Sequence, residues 1–188
     1  MTATFGVFAA VVLLTGVMRL AELWVSVRRM RARPDDVVSE PRLFPFMALL
    51  HVGLVILPLA EVWWVPRTFE PVVAAVAGGL LVAATGLRIW TLRTLGWAWN
   101  VRVVQPPEAA VVSTGPYLYI RHPNYLCVIV EIVALPLLHA AWWSALGLSL
   151  WNAAVLFVRI RTEEDMLMKV PAWRQAFMDR ARLIPGVF

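Results

Sequence analysis

Three features of this 188-residue chain predict an all-α integral membrane protein with five transmembrane helices. Hydrophobic residues make up 61% and charged residues only 15%, against about 45–50% and 25% in a soluble domain, and the mean hydropathy is +0.73. Four stretches approach the ~20 apolar residues that a helix needs to cross a bilayer at 1.5 Å per residue. The third feature is the placement of charge: the net charge of +5 is unevenly spread, which points to membrane orientation rather than nucleic-acid binding. The same composition excludes disorder. The single cysteine, Cys127, can build neither an internal disulfide nor a zinc site. The length fits one domain, 1–188.

The first stretch runs from about Thr4 to Val27, interrupted late by Arg19 and Glu22. No charged segment precedes it and no small-residue cleavage site follows it, so it reads as a retained helix. The second runs from Leu43 to Trp64, the third from Pro71 to about Leu92, and the last from Ala140 to Ile160. Leu126 to Leu138 is only thirteen residues and contains Pro136. It reads as one arm of a helical hairpin with the last stretch, turning near His139 to Trp143. Of the seventeen basic residues, only Arg67 falls in the loop between the second and third stretches. The positive-inside rule then places the N-terminus outside and the C-terminus in the cytosol. Trp63 and Trp64, Trp97 and Trp99, and Trp142 and Trp143 lie near span ends and read as an interfacial belt. No internal repeat is visible, which argues against a transporter built from two halves.

The chemistry-bearing residues concentrate in Leu92–Asn124 and Arg161–Phe188, both cytosolic in this orientation. No Gly-x-Gly pair occurs, so neither a Rossmann fingerprint nor a P-loop is present, and three scattered histidines suggest no catalytic triad or metal cluster. In Thr114 to Tyr125, Gly115-Pro116 marks a turn, while Pro123 biases His122 away from helix and suits the first turn of a new one. That helix start suits an anionic group; a basic juxtamembrane turn anchored by tyrosines is the plainer reading. In Arg159 to Asp165, Arg159 and Glu163 share a helix face, or form a solvated cluster at a helix exit. The third feature is Gly86-Leu87-Arg88 with Leu95-Gly96 and Trp99-Asn100. Arg88 either snorkels to the interface or marks a functional site. Within the spans, His51 reads as a packed core histidine, Glu131 as a partner for Arg88 or a proton acceptor, and Cys127 as packing.

Together and in this order, these features resemble the isoprenylcysteine carboxyl methyltransferase family, integral membrane enzymes that use S-adenosylmethionine. The resemblance covers about Gly86 to Pro185, so 86–188 is expected to be the catalytic region and 1–85 to supply generic spans. It rests on Arg121-His122-Pro123-x-Tyr125 and on Arg159-x-x-x-Glu163-Glu164-x-x-Leu167. Trp99 to Arg102, Arg121 to Leu126, Glu131-Ile132, Pro136 to Leu138 and Asn152 to Ala154 are similar to a bacterial branch that methylates alkylpyrones and other phenolic or quinonoid lipids. Two departures stand out. Leu126-Cys127 replaces a glycine that often follows the first motif, and Trp173 and Phe177 stand where the tail has tyrosines.

The resemblance implies a cytosolic cofactor pocket between the fourth helix and the tail. Gln105, Val111, Val112, Tyr117, His122, Pro123, Asn124, Tyr125 and Glu163 would bind S-adenosylmethionine. Arg88 and Arg159 would be the catalytic arginines, in contact with substrate alongside Asn100 and Glu131; no metal is implied. Methyl transfer from a sulfonium is an in-line displacement, for which alignment in a dry site can supply about 7–11 kcal/mol. An arginine fork suits positioning of an acceptor oxygen. The reaction expected is O-methylation of a lipophilic acceptor entering from the bilayer, at the cytosolic face of a bacterial cell membrane. The alternatives are a prenylcysteine carboxylate acceptor, a membrane reductase using NADPH, and a non-enzymatic transporter.

Overall fold

Prolines mark where the helices begin. The computed structural model describes residues 3–32, 38–39, 43–65, 67–104 and 111–185. Within them lie α1 (Ala3–Arg31), α2 (Phe44–Trp64), α3 (Pro71–Leu95), α4 (Pro123–Leu137), α5 (Trp142–Leu167) and α6 (Pro171–Phe177). α2, α3, α4 and α6 each carry proline in the first two positions, where its fixed φ suits the helix and its missing N–H costs nothing. Two-residue strands β1 (Val38–Ser39) and β2 (Val103–Val104) pair antiparallel, joining the segment after α1 to that after α3.

α1, α2, α3 and α5 are long and apolar enough to cross a bilayer. α4 has 15 residues, about 22 Å at 1.5 Å per residue, yet it is the most enclosed helix. Nine of its residues are buried, against three of the 29 in α1. It packs between α3 and α5, and Val128, Ile132 and Leu135 meet Phe8, Val12, Leu50, Leu54 and Leu148 in the main apolar core.

Past α4 the chain turns through 138–141, with Ala140 at φ 53°. Glu61, near the end of α2, accepts hydrogen bonds from Ser144 N and Oγ, both at 2.7 Å, and so satisfies amides at the start of α5. His139 packs against the rings of Phe5, Phe8 and Phe69. The turn therefore sits at the end of the bundle where α1 starts, α2 ends and α3 starts. α1 and α5 run further than their apolar stretches, over Arg28–Arg31 and over Arg161–Leu167, because helix propensity does not stop where hydrophobicity does.

Candidate active site

The site forms at the opposite end, where the turn before α4 meets the tail. Gly115 has φ +59°, and a Cβ there would stand 2.4 Å from Thr94 Oγ1, so only glycine lets this turn close against α3. The tail holds the turn from outside. Arg121 N and His122 N donate to the carbonyls of Ala181 (2.9 Å) and Arg182 (3.0 Å), and the Arg121 guanidinium donates to those of Arg180 and Met178 at 2.7 Å each. Buried Glu164 knits these parts together, meeting His122 Nε2 at 3.1 Å, Arg121 at 3.3 Å and Arg182 at 2.9 Å. Its hydrogen bond raises the pKa of Arg182 above the ordinary arginine value.

Behind this clamp lies a cavity of about 150 Å³ whose lining is about half polar, the polar cavity of the two in this region. Asn100, Val111, Val112, Tyr117, His122, Asn124, Tyr125, Arg159 and Glu163 all line it, with Trp99, Arg102, Trp173 and Phe177. Trp173 and Phe177 stack at 5.0 Å between centroids. Burial, and then the nearby Glu163 charge, push the Tyr117 phenol above its ordinary pKa, so it stays neutral. Trp99 Nε1, Asn100 Nδ2 and Asn124 Oδ1 are buried without a hydrogen-bond partner among the described residues. Three unpaired polar atoms around one cavity are costly unless a polar ligand satisfies them.

A second cavity, about 460 Å³ and mostly apolar, opens between α1 and α2. Leu13, Val17 and Leu20 of α1 and Val52 and Ile56 of α2 line it while remaining exposed on the bundle surface. The two cavities share Trp99, Asn124, Tyr125 and Arg159. Tyr125 is the link: its hydroxyl donates to Glu163 and accepts from Arg159 Nε at 2.7 Å. The same guanidinium reaches Met47 Sδ and the Val101 carbonyl.

The inner wall of the apolar cavity is charged. Arg88 donates to both Glu22 oxygens, at 2.9 and 3.2 Å, and lies 3.5 Å from Glu131. Arg19 meets Glu22 at 2.7 Å and Glu131 at 3.6 Å. Two arginines and two glutamates thus neutralise one another inside the helices.

The structure gathers most of the expected site residues and separates others. Pro123 is buried at the first turn of α4 and lines neither cavity; its part is to start that helix. Arg88 belongs to the apolar cavity and does not snorkel, being only 6% exposed because Glu22 and Glu131 hold it inside. Glu131 lines neither cavity and stands behind Arg19 and Arg88. Gln105 lies outside the described residues. His51 is half-buried with its Nδ1 against the Met47 carbonyl, and its ring also faces the apolar cavity. Trp97 is 79% exposed, as a belt residue would be, but Trp99 is 6% exposed at the junction of the cavities.

Arg19, Glu22, Met47 and Asn152 come to the site from outside the expected set. Glu22 and Arg19, two charges interrupting an apolar stretch, were the available signal. α1 contributes again at its end. Ser26 Oγ donates to Asn100 Oδ1 at 2.5 Å, and Arg29 donates to the carbonyls of Gly96 and Trp99 at 2.8 and 3.0 Å. This latch sets the Trp99–Asn100 segment against the cavities.

The model of the isoprenylcysteine carboxyl methyltransferase family matches residues 76–169, half of the chain. This chain belongs to that family. Among curated proteins, the uncharacterized protein YpbQ of Bacillus subtilis is 33% identical over 135 residues, which is 67% of this chain and 74% of the relative. An uncharacterized protein of Haemophilus influenzae is 32% identical over 90 residues, 47% of this chain and 52% of its own. Membership in a methyltransferase family, with four helices apolar enough to span a bilayer, makes this an integral membrane methyltransferase. The matched segment takes in the methyltransferase's polar-cavity residues from Leu95 to Leu167 and leaves out α1 and α2, which wall the apolar cavity.

Proposed function

We propose that this methyltransferase moves a methyl group from S-adenosylmethionine to an oxygen of a lipophilic acceptor. The acceptor we infer is the hydroxyl of an alkylpyrone, alkylresorcinol or hydroxyquinone lipid, and the setting the cytosolic face of a bacterial membrane. One observation carries the reading: a polar cavity with unsatisfied donors and acceptors meets a larger apolar cavity, walled in part by surface-exposed apolar residues of α1 and α2, at a junction centred on the Tyr125–Arg159 pair. A water-soluble cofactor and a lipid acceptor need such a meeting point. The topology goes with it: five spans, α4 and α5 forming the hairpin, the N-terminus outside and the tail cytosolic.

The polar cavity suits the cofactor chemically. The Glu163 carboxylate can hold ribose hydroxyls or the amino group, and Asn124 Oδ1 and Asn100 Nδ2 supply an unpaired acceptor and donor. Val111, Val112, Tyr117 and the Trp173–Phe177 stack offer faces for a base, and His122 is held at the rim by Glu164. S-adenosylmethionine supplies an electrophilic methyl group when bound. Arg159 orients the acceptor oxygen; its fixed contacts to Tyr125 and Met47 hold the guanidinium where the two cavities join. Arg88 and Glu131 act one layer deeper, setting the polar wall against which the acceptor head rests. The catalytic unit is then the whole chain rather than 86–188 alone, because α1 and α2 enclose the acceptor.

The test uses protein purified in detergent. Calorimetry should show S-adenosylhomocysteine binding, and methyl-labelled S-adenosylmethionine should label an added alkylresorcinol. Binding of NADPH in place of S-adenosylhomocysteine would make the protein a reductase. Labelling of a prenylcysteine alone would make the acceptor a carboxylate.

A further inference from the structure

The geometry points to His51 as the general base that takes the proton from the acceptor hydroxyl, an inference that rests on the hydroxyl-acceptor reading above. A carboxylic acid arrives ionised at neutral pH and needs no base. A phenol with a pKa near that of tyrosine, about 10, does need one. Among the described residues, the basic groups nearest the junction are engaged on its polar side: Glu163 accepts from Tyr125, and His122, stacked on Tyr125, meets Glu164 through Nε2. His51 faces the apolar one.

His51 Nδ1 lies 2.8 Å from the Met47 carbonyl, one turn earlier on α2. A carbonyl only accepts, so Nδ1 carries the hydrogen and the lone pair falls on Nε2. Met47 touches Arg159 through its sulfur, and residues four apart on a helix stack within about 6 Å. The imidazole thus lines the same cavity as the guanidinium that orients the oxygen, one helical turn along α2 from the Met47 that touches it, and a base so placed acts directly or through one water. Arg19 and Glu22 of α1, Arg88 of α3, Glu131 of α4 and Arg159 of α5 surround it. Arg19 and Arg88 are matched by Glu22 and Glu131, so that cluster sets no net charge against an imidazolium, and Glu131 is the carboxylate that acts on the ring. In the step, the acceptor O–H bond breaks and an Nε2–H bond forms. The freed oxygen pair makes the O–CH₃ bond, the sulfur–methyl pair stays on sulfur, and the imidazolium later releases its proton to water.

The experiment compares wild type with His51→Gln on three acceptors of falling acidity: a long-chain fatty acid, an alkylated 4-hydroxypyrone and an alkylresorcinol. A base predicts a graded loss. kcat/KM should fall by about 10²-fold or more on the resorcinol, less on the more acidic hydroxypyrone, and not at all on any carboxylate turnover. The resorcinol deficit should shrink as pH approaches the phenol's own pKa. S-adenosylhomocysteine affinity should be unchanged, which shows that the variant is folded. An equal loss on every acceptor, or a deficit independent of pH, would make His51 a positioning residue and overturn the inference. Wild-type methylation of the fatty acid alone, or of none of the three, would overturn the hydroxyl reading and the base with it.

Discussion

The two cavities differ in how they are made. The polar one is assembled from consecutive motifs, the turn from Val111 to Tyr125 and one face of α5, clamped by a tail that Glu164 anchors. The apolar one is walled largely by α1 and α2, which carry no motif and lie outside the family match, and is closed by residues within the match such as Arg88, Tyr125, Asn152 and Arg159. On the proposed function, the difference means that the reaction and the acceptor are specified by different parts of the chain. Motif residues would then hold the methyl donor, and the walls of α1 and α2 would select what reaches it. The division is incomplete: besides the Ser26 and Arg29 latch onto the Trp99–Asn100 segment, it is crossed at two further points. Glu22 and Arg19 reach from α1 to Arg88 and Glu131, and Met47 reaches from α2 to Arg159.

The largest expected effect probes the first of these points. Removing one member of a buried ion cluster leaves uncompensated charge, at a cost of about 3–5 kcal/mol. Arg88→Ala should lower the thermal unfolding temperature in detergent sharply, and Arg88→Met combined with Glu22→Gln should recover much of the loss. If Arg88→Ala alone unfolds like wild type, the cluster is not holding α1 to α3.

Arg159 comes next because it belongs to both cavities. Arg159→Lys keeps the charge and loses the planar fork, so Tyr125 and Met47 can no longer be held together. Initial rates with a lipid acceptor should show kcat/KM down by about 10²-fold, the scale of a 1 Å misplacement. S-adenosylhomocysteine affinity should change little. Wild-type turnover would remove Arg159 from the junction.

Glu163 and Glu164 give a smaller and sharper contrast. Glu163 faces the polar cavity and Glu164 faces the tail. Glu163→Gln should weaken S-adenosylhomocysteine binding by about 1.5–3 kcal/mol, the worth of a charged hydrogen bond, with the unfolding temperature held. Glu164→Gln should do the reverse in kind, loosening the contacts of His122, Arg121 and Arg182 and lowering stability first. Swapped outcomes would mean that α5 presents its glutamates one position out of register.

Most of the helices were legible in the sequence because hydropathy and proline set them: the second stretch, Leu43 to Trp64, folds as Phe44–Trp64. The motif face of the polar cavity was legible too, since the Gly115-Pro116 turn, Pro123 and the Arg159–Glu163 spacing are local signals. Contacts between distant parts of the chain were not. The Glu22–Arg88 pair joins residues 66 apart, and the Ser26–Asn100 bond residues 74 apart, and no periodicity reports which helix faces which. Burial misled at one tryptophan. A tryptophan at a span end reads as a lipid anchor, yet Trp99 is inside, while a histidine in an apolar run reads as core, and His51 is half-buried and also lines a cavity.

The division between the cavities is tested most directly by titrating two variants with two ligands. Ala48 lines only the apolar cavity, and Ala48→Trp would fill part of its 460 Å³, costing the lipid about 60 Å² of apolar burial, or roughly 1.5 kcal/mol. Measured against S-adenosylhomocysteine and an alkylresorcinol, Ala48→Trp should lose about tenfold in lipid affinity and nothing in cofactor affinity. Glu163→Gln should show the opposite pattern. If both variants weaken the same ligand, the two cavities are one site and the account fails.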